Sequence, residues 1–405
     1  MLNPTITRYS AAKYRLAPRN MVLEERFLHQ LLVFMYIPSS WPAWKMGLAL
    51  LAIAGAIWLL WIPVGYALAA AAIFFLFALG DWLLLWRLPQ SQRSYGPIGP
   101  QLFTKAVPRI GATLLAAALG WLFGHPELGL ALHLILQLFG TCVYVWGFLV
   151  EPFALATTHF PVKSTTFSNR SLPLKLLHLS DLHVERLTCR ERHLLELVEA
   201  AAPDIIVITG DFLNLSYVDD PTARAEVRKV LEKLTAPYGV YATLGSPPVD
   251  PRQTTPSLFD DLNIQLLRDE AVTITLPDGG QVSLLGVDCE HDIASDFAVV
   301  QQLAQMVPAE SFKVLLYHSP ELMPQVQQLP IELYLCGHTH GGQIRMPWYG
   351  ALMTSSITGK RYEMGRYTEQ GTTLYISRGI GLEGLGAPRM RLLCKPEIIL
   401  FTLSK

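Results

Sequence analysis

The pattern of apolar residues divides the chain into two parts. No charged residue occurs from Met46 to Gly80, a run longer than the roughly 20 residues that cross a bilayer. Pro63-Val64-Gly65 interrupts this run near its middle. The pattern therefore predicts a hairpin of two transmembrane helices, over about 46–62 and 64–86.

Two further apolar stretches, about 110–124 and 128–150, predict a third and a fourth transmembrane helix. The stretch Phe27–Ile37 is too short to span and is expected to lie in the membrane interface. Ionisable residues inside a membrane are functional candidates, and only Asp81 and His133 qualify within these stretches. Two such groups make a poor transport path, so the helices are interpreted as an anchor.

Lysine and arginine counted in short loops predict the orientation of the helices. The connections near Pro63 and Pro126 carry no such residue. The N-terminal arm and the connection between the second and third helices carry Arg8, Lys13, Arg15, Arg19, Arg26, Lys45, Arg87, Arg93, Lys105 and Arg109. This asymmetry places both termini in the cytoplasm and predicts a multi-pass inner-membrane protein.

The composition argues against a nucleic-acid partner and against cysteine-based sites. The chain has 405 residues, a net charge of −1, 51% hydrophobic residues and 16% charged residues, so no basic field indicates a nucleic-acid partner. The five cysteines show no CxxC spacing. We therefore expect a reducing compartment, no disulfide framework and no thiolate metal site.

After a linker (151–171) the pattern changes to short apolar runs separated by amphipathic stretches, which predicts an α/β domain over 172–405. Five of these runs stop at glycine or at residues that can bind a metal: LKLLHLSDLH, DIIVITGD, VYATLG, KVLLYHS and ELYLCGHTHGG. Because loops at the carboxyl ends of parallel strands converge, these residues are expected to form one site. Histidine and aspartate together suit Mn, Fe or Zn.

The segments Asp181-x-His183, Gly210-Asp211, His318 and Gly337-His338-x-His340 resemble the calcineurin-like metallophosphoesterase superfamily. The string GHTHGGQIRMPWYG is similar to its membrane-anchored branch, which includes enzymes that cleave UDP-2,3-diacylglucosamine during lipid A synthesis. The resemblance implies a four-layer α/β/β/α sandwich with two divalent metal ions at the strand ends, joined to the transmembrane region (46–150) and the arm (1–45).

The resemblance also implies a ligand set. The first metal would take Asp181, His183 and His340, and Asp211 would bridge the two metals. His318 and His338 would hold the second metal, and the catalytic assignment falls on Asp211 and His318. Arg345 and Arg378 are candidate phosphate contacts, with a surface arginine or a structural ion pair as the alternative.

The sequence departs from the family at Gly245-Ser246-Pro247-Pro248, where the family has Gly-Asn-His followed by Asp or Glu. In the family the asparagine binds the second metal and the histidine assists the leaving group. Asp250, His291 and Asp292 lie on loops that could supply a substitute, which the sequence leaves open. Two readings follow: an active hydrolase, or a degenerate protein that only binds a metal or a phosphorylated lipid.

Loss of the leaving-group histidine favours a substrate whose leaving group needs little protonation, such as a pyrophosphate. Membrane anchoring favours a lipid-linked substrate in the bilayer. The prediction is hydrolysis of UDP-2,3-diacylglucosamine to the lipid monophosphate and UMP. A phospholipid or an isoprenyl pyrophosphate is the alternative substrate.

Overall fold

The computed structural model describes residues 5–10, 34, 36–61, 63–168, 173–384 and 389–405. These residues form two compact units. The helical unit takes its described residues from 24–150 and 383–390, and the α/β unit takes the rest. The predicted interfacial segment Phe27–Ile37 lies outside the described residues except at its last positions, and it stays a prediction.

Among its described residues, the helical unit contains four helices that are long and apolar enough to cross a membrane. They are α1 (Ala43–Leu60), α2 (Val64–Gln90), α3 (Ile98–Leu122) and α4 (Pro126–Val145), the last continuing as a π-helical turn over Trp146–Val150. Their number agrees with the sequence pattern. The hairpin turn falls at Pro63, because proline lacks the amide proton that a helix interior requires.

The third helix begins about twelve residues earlier than predicted, because its two cations are paired inside the unit. Arg109 donates to both oxygens of Asp81, at 2.6 and 2.8 Å, and Lys105 Nζ lies 3.2 Å from the same carboxylate. All three side chains are buried. The positions assigned to a loop are therefore helical, and the connection between α2 and α3 keeps only Arg93 of the four cations counted there. The cytoplasmic orientation stays a prediction.

The α/β unit contains fifteen strands among the described residues. They are β1 (Thr5–Ser10), β2 (Ala156–Lys163), β3 (Leu174–Leu179), β4 (Ile205–Thr209), β5 (Val240–Thr243), β6 (Ile264–Leu266), β7 (Glu270–Thr275), β8 (Gln281–Gly286), β9 (Phe312–Leu316), β10 (Leu333–Cys336), β11 (Arg345–Met346), β12 (Gly350–Ala351), β13 (Gly365–Glu369), β14 (Thr372–Ile376) and β15 (Glu397–Ser404). The helices of this unit are α5 (Cys189–Ala201), α6 (Pro221–Leu231), α7 (Ile293–Met306) and α8 (Met323–Val326).

The strands form two large sheets and one short hairpin. The first sheet has the order β2-β15-β3-β4-β5-β6, and the second has the order β1-β7-β8-β9-β10-β14-β13. Strands β3 to β6 run parallel to one another, as do β8, β9, β10 and β14. Their carboxyl ends therefore lie together at one edge of each sheet.

Apolar side chains fill three layers between these elements. Residues such as Leu176 and Val314 form the core between the two sheets. Alternate residues of the first sheet pack against α5 and α6 through side chains such as Leu194, and those of the second sheet pack against α7 through Leu303. The predicted four-layer α/β/β/α sandwich is confirmed.

Two strands lie where the sequence predicted none. The segment assigned to the linker 151–171 contains β2, which pairs with β15, and the segment assigned to the arm 1–45 contains β1, which pairs with β7. Both are edge strands with exposed positions, so their apolar alternation is weak. Phe160 of β2 packs against Tyr375 and Phe401, which fixes this strand on the sheet.

Candidate metal centre

The six predicted ligands follow the carboxyl ends of four strands and converge. Asp181 and His183 follow β3, and Asp211 follows β4. His318 follows β9, and His338 and His340 follow β10. Ligand atoms of Asp181, His183 and His340 lie within 4.8 Å of one another, as do those of Asp181, Asp211 and His318. The two groups share Asp181.

Five of these six residues adopt left-handed backbone conformations. Their φ angles lie between +42° and +68°: Asp181, His183, Asp211, His338 and His340. Such conformations are uncommon for residues with a Cβ atom and persist only where the surrounding fold imposes them. Here each strand end turns sharply enough to aim its side chain at a common centre.

Glycine is required at two of these strand ends because the backbone passes against the side chain of a predicted ligand. A Cβ on Gly245 would lie 2.1 Å from Asp211 Oδ1, and a Cβ on Gly337 would lie 2.1 Å from Asp181 Oδ2. The close approach accounts for the glycine at the end of VYATLG. The prolines that follow build a turn in which the amides of Val249 and Asp250 donate to the Ser246 carbonyl.

The turn places Asp250 where its carboxylate binds the backbone of two loops of the site. Its carboxylate accepts from the amides of Asp211 (2.7 Å), Gly245 (2.8 Å) and Phe212 (3.2 Å). Asp250 therefore fixes the Asp211 loop and the Gly245 loop and does not face a metal. Asp292, the second candidate substitute, accepts from two amides at the start of α7 and is equally engaged.

The ring nitrogens face one another and the carboxylates in a way that suits a cation. His183 Nε2 and His340 Nε2 lie 3.0 Å apart, and His183 Nδ1 is 3.1 Å from the Leu213 carbonyl. The Nδ1 proton donated to that carbonyl leaves a lone pair on Nε2. His340 Nε2 lies 3.5 Å from Asp181 Oδ1. A metal ion among these atoms would satisfy all of them.

The donor atoms of the second group, Asp181, Asp211 and His318, also suit a cation. His318 donates through Nδ1 to the Thr209 carbonyl at 2.7 Å, which turns Nε2 toward Asp211 Oδ2 at 3.1 Å without hydrogen-bond alignment. Asp181 Oδ2 and His338 Nε2 are buried and lack a hydrogen-bond partner among the described residues. Buried polar atoms are rarely left unsatisfied, so the oxygen and nitrogen donors fit divalent metal ions.

Two of the candidate histidines are neutral, and Asp211 is ionised. Burial, together with the neighbouring His291 and His318, lowers the pKa of His338 to about 3. Burial and His183 hold the pKa of His340 well below its usual value. Burial alone would raise the pKa of Asp211, but His318 and His183 hold it below the usual range. Two neutral imidazoles and one carboxylate are therefore available to bind.

The loop that departs from the family supplies Asp211 with an amide and no further ligand. The Ser246 amide donates to Asp211 Oδ1 at 2.8 Å, and Ser246 Oγ lies 3.3 Å from His338 Nδ1. Pro247 has no side-chain proton to give. The structure brings His338 together with His291 and Glu321, whose ligand atoms lie within 4.8 Å of one another.

Both candidate phosphate contacts are engaged with carboxylates. Arg345 lies 2.9 Å from Glu363, and Arg378 lies 2.6 Å from Glu397. The structural ion pair, which was the alternative interpretation, describes both arginines. Their contact with phosphate stays a prediction.

Sequence reasoning did not select Glu321 and left His291 open. A signal for His291 exists, because VSLLGVDCEHD is a further apolar run followed by an acidic residue and a histidine. Glu321 lies two residues after Ser319 in a 3-10 turn and carries no comparable signal.

The fold and the clustered ligands define a metal-dependent hydrolase, and comparison with known proteins specifies the family. Residues 174–342 match the family model described as calcineurin-like phosphoesterase. The uncharacterized metallophosphoesterase YkuE of Bacillus subtilis strain 168 is 30% identical over 265 residues, covering 64% of this chain and 90% of the relative. The chain therefore belongs to the calcineurin-like metallophosphoesterase family, whose members depend on two metals.

Two further relatives carry more specific names. The phosphodiesterase YaeI of Escherichia coli K12 is 27% identical over 252 residues, covering 58% of this chain and 84% of the relative. The UDP-2,3-diacylglucosamine pyrophosphatase LpxG of Chlamydia trachomatis serovar D is 25% identical over 318 residues, covering 64% of this chain and 92% of the relative.

Proposed function

We propose that this protein is a membrane-anchored, two-metal phosphohydrolase that cleaves a pyrophosphate bond in a lipid-linked substrate. The best candidate is UDP-2,3-diacylglucosamine, which would give the lipid monophosphate and UMP. The family supports the hydrolase chemistry, and the four apolar helices support a substrate held in the bilayer. Similarity to LpxG pyrophosphatases at 25% and 22% identity supports the choice of substrate.

One observation carries the proposal: the cluster of candidate metal ligands is nearly complete, but the family's proton donor to the leaving group is absent. Asp181, Asp211 and His318 lie together as candidate ligands, while Pro247 stands where the family has a leaving-group histidine. General acid catalysis contributes roughly 10²–10⁴-fold, chiefly for a poorly stabilised leaving group. A nucleotide phosphate leaves readily, so a pyrophosphate tolerates this loss and an alkyl phosphomonoester does not.

The residues of the centre divide the work. Asp181, His183 and His340 would hold one metal, Asp211 would bridge, and His318 with His338 would hold the other. Two metal ions, when bound, lower the pKa of a bound water and neutralise charge on the phosphoryl group. The chain's own contribution is to fix the carboxylates through backbone amides, since the amides of Ser246 and His338 donate to Asp211 and Asp181.

The test uses the full chain purified in detergent with Mn²⁺. Incubation with UDP-2,3-diacylglucosamine should release UMP, and hydrolysis of an alkyl phosphomonoester should be at least 100-fold slower, the lower bound of roughly 10²-fold for a lost general acid. His193→Ala is the matched control, because His193 lies on an exposed face of α5, where it pairs with Glu196. Stoichiometric metal without turnover of any anhydride would favour a degenerate binding protein, for which the same ligands would serve.

A separate experiment tests the side of the membrane. The proposed substrate site faces the cytoplasm, as the cations of the N-terminal arm and Arg93 favour, since the connections near Pro63 and Pro126 carry none. A reporter fused after Lys405 should therefore behave as cytoplasmic. A periplasmic signal from that fusion would reject the inner-leaflet substrate.

A further inference from the structure

We infer that His291 replaces the family's asparagine as a ligand of the second metal, and that Glu321 is its positioning residue. The inference rests on the proposed function, since it concerns the second metal of the same centre. His291 would supply the ligand that Ser246, at the asparagine position, does not.

Topology brings His291 to the centre. It lies in the loop that follows β8, and β8 runs parallel to β9, which ends just before His318. The two loops leave the same edge of the second sheet. His291 has a φ of +57°, the left-handed conformation that five of the six predicted ligands adopt. Its side chain is 4% exposed, so it faces the interior of the site.

Glu321 fixes which nitrogen of His291 faces the metal. His291 Nδ1 lies 3.1 Å from Glu321 Oε2. The other oxygen, Oε1, accepts from the Ile357 amide at 2.9 Å and from Ser356 Oγ at 3.3 Å. The carboxylate is therefore held in place and occupied by these contacts. With one proton kept on Nδ1, His291 would present Nε2 to a metal that displaces the proton there, the arrangement found for histidine ligands whose second nitrogen bonds a carboxylate.

His291 Nε2 points at the position left by the missing asparagine. It lies 3.2 Å from Ser246 Oγ, which in turn lies 3.3 Å from His338 Nδ1. The His291 and His338 rings are 4.8 Å apart, and the His338 and His318 rings are 5.2 Å apart. The three imidazoles thus form a continuous row beside Asp211.

The two sequence changes are sterically complementary. Ser246 Oγ already contacts ring nitrogens on both sides, so a longer asparagine side chain would displace His291 or His338. A small residue at this position leaves room for an imidazole from the opposite loop. His291 Nε2 also lies 3.7 Å from Cys289 Sγ, so loss of bound metal on substitution is what distinguishes a ligand from a histidine that only packs there.

The experiment counts metal in the full chain purified in detergent. Mn²⁺ stoichiometry and affinity are measured by elemental analysis and calorimetry for wild type, His291→Ala, Glu321→Gln and the control His193→Ala. Wild type and control should bind two Mn²⁺ per chain. His291→Ala should lose the second ion or bind it at least 100-fold more weakly. Glu321→Gln should weaken it roughly 10- to 100-fold, the usual effect of losing an outer partner.

A rescue variant separates ligation from folding. Ser246→Asn in the His291→Ala background restores the family's ligand in the space that the imidazole leaves, and it should restore the second Mn²⁺. The same Ser246→Asn change in wild type should not tighten binding. Such a rescue supports the inference even where His291→Ala alone is poorly folded, because the double variant is then measured directly.

The outcomes separate this inference from the proposed function. Two Mn²⁺ bound by His291→Ala with wild-type affinity would overturn the role of His291 and leave the hydrolase proposal standing. Failure of the double variant to bind a second ion, with Glu321→Gln unchanged from wild type, would also overturn it. A wild-type protein that binds no Mn²⁺ at all would reject the two-metal function, and the inference with it.

Discussion

Gly337→Ala provides a test of the centre that changes no ligand. The added Cβ would lie 2.1 Å from Asp181 Oδ2 and 2.3 Å from Ser180 Oγ. The carboxylate would have to retreat by about 1.3 Å to reach an ordinary contact of 3.4 Å. Metal–ligand distances vary by only about 0.2 Å, and a displacement of about 1 Å near the reacting groups can cost 10²-fold in rate. We therefore expect kcat/KM to fall about 100-fold, which corresponds to about 2.7 kcal/mol of transition-state stabilisation.

The assay pairs turnover with metal content. Because Asp181 belongs to both groups, Gly337→Ala should bind less Mn²⁺ than wild type, while the matched control Gly280→Ala, whose added Cβ meets nothing closer than 3.2 Å, should keep both ions. Overpacking costs stability as well, typically about 1–3 kcal/mol, so the unfolding temperature is recorded beside the rate. Full metal content and wild-type kcat/KM in Gly337→Ala would refute the inferred placement of Asp181 as a ligand.

Three further predictions concern charge. Asp211→Asn should abolish binding of two metals and hydrolysis, since a bridging carboxylate serves both ions; retention of wild-type turnover would contradict the assignment. Burial acts to lower the pKa of His318, but Asp211 raises it to about 10, so metal must displace a proton. Calorimetry should show that metal binding releases a proton and that the affinity for metal rises about tenfold per pH unit between pH 7 and 9. A pH-independent affinity would argue against His318 as a metal ligand. Asp81→Asn should lower the unfolding temperature in detergent, because loss of one partner of a buried pair such as Asp81–Arg109 costs about 3–5 kcal/mol; exposed Glu127→Gln is the control, and equal unfolding temperatures would contradict the reasoning.

The parts of the fold that sequence predicted are those in which one segment carries its own signal. The strand ends at Asp181, Asp211 and His338 follow apolar runs long enough to be buried on both faces, and glycines mark the turns at Asp211 and His338. Parallel strands bring such ends together whatever lies between them. The ligand cluster was therefore predictable without knowledge of any contact.

The parts that sequence missed depend on partners far away in the chain. The start of α3 was misplaced because Lys105 and Arg109 resemble loop cations until Asp81, more than 20 residues earlier, neutralises them. Strand β1 pairs with residues about 265 positions later, from Thr5 opposite Thr275. The local pattern of apolar residues contains no information about such pairings. They form because the unpaired backbone N–H and C=O groups at the edge of a sheet bind a strand from elsewhere in the chain.

Replacement of the family's asparagine by His291 would change the type of ligand at the second metal as well as preserve the number of ligands. With His291 in place of an asparagine, the second metal would be held by three imidazoles and the Asp211 carboxylate. An amide oxygen suits Mg²⁺ and Mn²⁺, whereas imidazole suits Zn²⁺ and Fe²⁺. The exchange of oxygen for nitrogen should therefore shift the second site toward Zn²⁺ relative to the family's pattern. Competition between Zn²⁺ and Mn²⁺ measures the shift: the wild type should prefer Zn²⁺ more strongly than the variant that carries Ser246→Asn and His291→Ala. An unchanged preference would mean that the nitrogen of His291 does not contact the metal, whatever its role in the stability of the loop.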